Sequence, residues 1–315
     1  MGKCSEDFVQ LALKTLSCNQ KTLALRLGVS TTQISKWKNG DYMSMDMEKK
    51  FREIINIGDK DPSFVMLAGS LEAAEKWEKL IRFLADKAYD HTETGFDTEP
   101  LNDPLNLLCW RTFDTLINMG VDMPKTFPTD LDIDYEADDV WGLIEANPVS
   151  SLIFKIYKSF TNVYGLYAAY VSDLVFDDEL NQMETEASNI ESCLLDLAAT
   201  KLDMDEVQDL ATKFEEFRSR INTNYEKWLN VVKEKAFRAG VPLRAELLNM
   251  VYKSDEALGR IAHTESMGFN SSRVHPDIYM NELLTGMRAI HQILPAIMKK
   301  LGMAEFTLDD SKLQI

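Results

Sequence analysis

Apolar residues recur along this chain three and four positions apart, the spacing of one helical face, and no run of strands stands out. The pattern predicts an all-α fold. A first helix is expected over roughly residues 6–16, and two short helices follow within 20–39. A fourth, about 45–57, places Met47, Phe51, Ile54 and Ile55 on one face. Gly58 should end it, and Asp59-Lys60-Asp61-Pro62 reads as a linker. The expected domains are therefore 1–58 and 63–315.

In the second part, Leu71, Ala74, Trp77, Ile81 and Leu84 form one stripe. Asp103-Pro104 reads as a cap followed by a first-turn proline, with Gly120 closing that helix. Residues 121–135 read as a long loop, and 136–146 as a short helix. After Asn147-Pro148 comes an aromatic helix: Phe154, Tyr157, Phe160, Tyr164, Tyr167 and Tyr170 are spaced 3, 3, 4, 3, 3 and share a face. From Ser159 to Ser172 there is no charge, but a 14-residue stretch is shorter than the ~20 residues a bilayer span needs, so a buried helix is expected.

The longest helix is expected over 204–238. Its seam is Val207, Leu210, Phe214, Phe217, Ile221, Asn224, Trp228 and Val231, with Asn224 as its one polar member. That seam suits either an internal bundle helix or a dimer contact, internal packing being the commoner outcome. Gly240 and Pro242 mark a stop and a restart. A last helix begins near Pro276, and Pro295 should kink or end it.

The window 20–39 carries the clearest chemistry. Two short helices crossing over a tight turn need a small residue at the crossing and a glycine at the turn; Ala24 and Gly28 stand there. Leu23, Leu27, Val29, Ile34 and Trp37 would close a small core, and Ser30 can cap the second helix. The polar remainder of that helix suits a major groove. Thr31, Thr32, Ser35 and Lys36 are the expected base readers, because a recognition helix meets base edges with its first turns. Gln20, Gln33, Lys38 and Asn39 are better placed for phosphate.

Through Gln20, Leu23-Ala24, Gly28-Val29-Ser30, Ile34-Ser35, Trp37 and Asn39-Gly40, this segment resembles the Xre/Cro/CI family of phage and bacterial repressors. The resemblance covers about the first 60 residues. It implies a compact lambda-repressor-like domain of about five helices that binds operator DNA as a dimer, with Gln20 on phosphate and the Ser30–Lys36 face on bases. Lys38 stands where that family commonly has an acid, which would add a phosphate contact. The overall plan is also similar to the Rgg/PlcR/PrgX peptide-sensing regulators, although no clear tetratricopeptide signature is present.

Charge sharpens this division. The chain has a net charge of −17, yet residues 1–55 carry nine Lys/Arg against six Asp/Glu. A mildly basic head can approach phosphate while an acidic body repels it. Cys4, Cys18, Cys109 and Cys193 show no metal or disulfide spacing, and no secretory or myristoylation signal is present, so a reduced cytoplasmic setting is expected. The acidic run Asp130, Asp132, Asp134, Glu136, Asp138, Asp139 fails the calcium-loop pattern, with Tyr135 at the glycine position and Trp141 at the bidentate position. His91, His263, His275 and His291 are scattered, and no constellation supports catalysis. No enzyme activity, metal, cofactor or membrane partner is expected. The partners implied are double-stranded DNA, a second copy of the chain, and a small-molecule, peptide or protein effector. The aromatic stripe is ordinarily core; its alternative is an effector pocket walled by Tyr157, Tyr164, Tyr167 and Tyr170. The alternative to a regulator is a protein-binding adaptor or antitoxin-like module with secondary DNA binding.

Overall fold

Short polar side chains mark where the first helices start. In the computed structural model, which describes residues 3–137, 140–176, 186–239, 243–269 and 276–302, these helices are α1 (Lys3–Thr15), α2 (Gln20–Leu27), α3 (Thr31–Lys38), α4 (Met45–Ile55) and α5 (Pro62–Ala68). Asn19, Ser30 and Asp61 accept from first-turn backbone N–H groups of α2, α3 and α5 at 2.9, 3.1 and 3.0 Å. Next come α6 (Leu71–Asp90), α7 (Leu108–Met119), α8 (Val140–Ala146), α9 (Pro148–Tyr170) and α10 (Ser172–Val175). The remainder is α11 (Leu194–Ala199), α12 (Met204–Val207), α13 (Phe214–Ala239), α14 (Asn249–Tyr252), α15 (Asp255–Ser266) and α16 (Pro276–Lys300). The fold is all-α: among the described residues there is no strand, only one isolated antiparallel bridge between Val121 and Ala211.

The helix that holds the uncharged stretch, α9, is the hub. α6, α11 and α15 pack around α9, and α8 and α10 close its ends. Asn147 Oδ1 starts α9 by accepting from the N–H groups of Val149 and Ser150. Its buried hydroxyls find internal partners: Ser159 Oγ donates to the Ala198 carbonyl at 3.0 Å, and Tyr157 Oη lies 2.5 Å from Thr112 Oγ1. Gly165 lets the 91–98 connection approach, since a Cβ there would lie 2.7 Å from Thr94 Cβ. At the far end, the Arg244 guanidinium grips Glu265 of α15 through both nitrogens at 3.2 and 2.9 Å, and Tyr170 Oη donates to Glu265 at 2.8 Å.

Three boundaries differ from the sequence pattern. The expected linker is a tied turn: Arg52 donates to the carbonyls of Gly58 and Lys60, each at 2.8 Å, and Lys60 pairs with Glu78 at 2.8 Å. α5 then lies against α1 on one side and α6 and α7 on the other, so one continuous body of buried side chains runs from Phe8 to Leu258. Asp103 does cap α7, but across a turn that contains Pro104: its Oδ1 accepts from Leu107 and Leu108 N–H at 2.6 and 2.9 Å. The helix expected over 204–238 is broken between α12 and α13. There the backbone N–H of Lys213 donates to the Met119 carbonyl at 2.9 Å and Thr212 Oγ1 to the Gly120 carbonyl at 3.0 Å, pairing the chain with the end of α7.

The heptad-like seam also drifts. Val207, Phe214, Phe217, Ile221 and Trp228 are buried, but Asn224 and Val231 are exposed, and Tyr225, Leu229, Val232 and Ala236 are buried instead. A straight helix turns every 3.6 residues, so a 3.5-residue stripe slides off the packed face within a few turns.

Gly165→Ala should destabilise the fold by about 1–3 kcal/mol through overpacking against Thr94, and Thr94→Gly should recover part of the loss. Thermal unfolding of the single and double variants checks both. Hydrogen bonds from Arg244 hold the Glu265 carboxyl below its usual range, opposed by burial and assisted by Tyr170. A carboxylate lowered on folding contributes stability that is present above its unfolded pKa and lost as pH falls through the folded one. Glu265→Gln should therefore cost roughly 1–2 kcal/mol at neutral pH. The variant should converge on the wild type as unfolding is followed down through the acid range below 4.5, the ordinary carboxylate value. A constant difference at every pH would contradict this role.

Candidate functional site

α3 is amphipathic over only eight residues. Ile34 and Trp37 are buried against the core formed with α1, α2 and α4, and the Trp37 indole N–H donates to the Tyr42 carbonyl at 3.1 Å. Trp37 meets Phe51 edge-on with ring centroids 6.0 Å apart, which fixes the rotation of α3 about its axis. Thr31, Thr32, Ser35, Lys36, Lys38 and Asn39 then all face solvent, while Gln20 and Gln33 are half-buried. Ala24 and Leu23 of α2 are buried beneath α3. Gly28 adopts a left-handed φ of 69° at the turn, with open space where a Cβ would stand, so only its backbone conformation calls for glycine.

The ridge is cationic at its edges. Lys21, Arg26, Lys36 and Lys38 are exposed, and none takes part in an ion pair among the described residues. Lys49 and Lys50 add exposed charge on α4. Unpaired, hydrated ammonium groups beside short polar side chains are the materials of phosphate contact and base-edge contact respectively. Tyr42, 84% exposed on the segment leaving α3, and Met45, 82% exposed at the start of α4, were not singled out from the sequence. Nothing in the residue pattern separates an outward aromatic from a core one; the loop's path decides it.

The tyrosines of α9 are interior. Tyr157, Tyr164, Tyr167 and Tyr170 are all buried. Burial pushes the Tyr157 and Tyr164 hydroxyls up, and takes Tyr167 to about 12 with the Glu191 charge assisting, so these remain neutral through the physiological range. A cavity of about 440 Å³ lies nearby, lined by buried Leu108, Phe160 and Leu195 and by charged Glu99, Arg111 and Glu191. None of the four tyrosines lines it. Tyr164 is connected to it indirectly, its hydroxyl donating to Glu191 at 3.3 Å.

In the acidic run, Asp132 pairs with Lys76 at 2.7 Å, Asp130 accepts from Asn147 at 2.9 Å, and Asp134 accepts from the Glu136 N–H at 3.1 Å. Asp138 and Asp139 lie outside the described residues, as does His275. Among the described residues, no group of three His, Cys, Asp or Glu is placed to hold a metal ion, and no helix is long and apolar enough to cross a membrane.

No known protein family matches this chain, and no curated protein or solved structure matches it either.

The turn chemistry predicts two separable effects. Ala24→Leu should cost about 1–3 kcal/mol by forcing α2 and α3 apart. Gly28→Ala should cost roughly 1 kcal/mol through backbone strain alone, and Gly28→Asn less, because asparagine tolerates the left-handed region. Chemical denaturation of the three variants ranks them; an Ala24→Leu variant as stable as wild type would mean that α2 and α3 do not depend on a close crossing.

Proposed function

We propose that this chain is a sequence-specific DNA-binding transcriptional regulator, with α2 and α3 as a helix-turn-helix and α3 as its recognition helix. The observation that carries the reading is the exposed ridge of Thr31, Thr32, Ser35 and Lys36 on a short helix whose opposite face is locked into the core. A helix held in this way presents its side chains to a groove without paying to order itself on binding.

In this reading Lys36 donates to guanine and the Thr31 and Thr32 methyl groups meet thymine methyls. Gln20, Gln33, Lys38 and Asn39 position the head on phosphates, and exposed Lys21 and Arg26 extend that contact. The acidic remainder of the chain faces away from the duplex, since its charge opposes any other approach. Two copies would set two recognition helices in successive major grooves of an operator, which is how such heads gain specificity.

The cavity beside Phe160 favours an effector as an addition to this reading. Its volume lies in the range of small-ligand sites, and its apolar lining, in which the acids Glu99, Asp103 and Glu191 outnumber Arg111, suits an amphipathic molecule carrying a positive group.

Genomic footprinting of wild type against Thr32→Ala/Lys36→Ala tests the assignment. The variant should lose site-specific protection, each lost base contact weakening binding to the recovered site by about 10- to 100-fold. Lys38→Ala should weaken binding evenly across sequences and flatten the salt dependence by about one phosphate contact. Footprints equal to those of wild type, or binding that is independent of salt, would overturn the named contacts.

A further inference from the structure

α16 stands apart from the economy of the rest. Every other helix of eight residues or more packs at least two side chains into the core, whereas α16 touches the fold chiefly along α13. From residue 283 onward nearly all of its side chains face solvent, and seven large aliphatic ones, with Leu301 just past its end as an eighth, are between 43 and 67% exposed.

Their spacing is regular. Leu283, Met287, Ile290, Leu294, Ile297 and Leu301 follow one another by four, three, four, three and four residues. This is an a/d heptad repeat, the pattern by which like helices interlock. Leu284 and Ile293 widen the stripe on either side, and Pro295 falls outside it. On α13 the chain's own core takes up Phe214, Phe217, Ile221 and Trp228 of the seven-residue seam, whereas here the repeat is left open along its length.

We propose that this face of α16 is a dimerisation surface, covered by the same face of a second copy of the chain. Three arguments choose that occupant. First, a 3-4 repeat of Leu, Ile and Met is self-complementary, so a two-fold axis can bury both copies at once. Second, half-exposed side chains of this size hide roughly 60 Å² each, so eight on each copy give about 1,000 Å² for the pair, the threshold of a specific interface. Third, a net charge of −17 disfavours the anionic bilayer surface that would otherwise attract an amphipathic helix with Lys299 and Lys300 in its last turn.

The pairing of two DNA-binding heads by this contact rests on the function proposed above; the contact itself does not, and is measured without DNA. Analytical ultracentrifugation of the full chain at micromolar concentration should give twice the 35.9 kDa chain mass. Ile290→Glu/Leu294→Glu should weaken self-association by on the order of 100-fold or more, because a carboxylate would be buried unpaired at the seam. Both positions are exposed in the single chain, so its helical circular dichroism should be unchanged. In the wild type, amide exchange over 283–301 should slow as protein concentration rises, a readout that needs no variant. Thr32→Ala/Lys36→Ala should lose DNA binding and still dimerise, which separates failure of the DNA reading from failure of this one. A monomeric wild type, a double variant as dimeric as wild type, or a monomer that sediments with phosphatidylcholine vesicles would each overturn the proposal.

Discussion

A 23-residue helix without a charge over its second half has no stable place at a protein surface, and the architecture of this chain follows from enclosing it. α6, α11 and α15 are arranged around α9 as its solvent shield. Enclosure imposes two further conditions. Each hydroxyl on α9 must be matched internally, as Ser159 is by the Ala198 carbonyl and Tyr157 by Thr112. Small residues must also stand where neighbours come closest, as Gly165 does against Thr94 and Gly259 against Asn162. The aromatic rings of α9 therefore serve as the interior of the fold, and the nearby cavity opens beside them.

The head solves the opposite problem. α3 has to hold one face rigid while leaving the other free, and it is only eight residues long. Ile34 and Trp37 do the holding, with Trp37 fixed both by Phe51 and by the Tyr42 carbonyl. The Ser30 cap supplies the order that a two-turn helix lacks by itself. The head is then fastened to the rest through α5 and the Arg52 and Lys60 contacts rather than hung on a free tether. Any change of angle between head and body would have to disturb that bound turn.

Charge and apolar surface are distributed unequally over the same molecule. Exposed cations flank α3 on a head of mildly basic balance, acids outnumber bases over the body, and among the described residues a long run of uncovered aliphatic side chains lies on α16. Each of these surfaces excludes the others' partners: a duplex is repelled from the body, and an aliphatic stripe offers nothing to phosphate. The physical separation of these surfaces is what would let one chain carry both the proposed DNA-facing ridge and the proposed self-association face without interference.

Local signals in the sequence determined what local physics controls. The helical period, the capping residue Ser30, the helix-ending glycines Gly28 and Gly120, and the buried helix over the uncharged stretch all follow from residues a few positions apart, where one turn's sterics and hydrogen bonds decide. The exposed polar side of α3 was legible for the same reason: its apolar residues left only one face free. Tertiary structure decided the rest. Whether the seam from Val207 to Val231 was a core or a contact depended on the backbone of 119–121 pulling 211–213 out of the helix. Whether 59–62 was a tether depended on Arg52 reaching its carbonyls. Which heptad was left open depended on where every other helix had already packed, and spacing along one chain carries no record of what stands beside it.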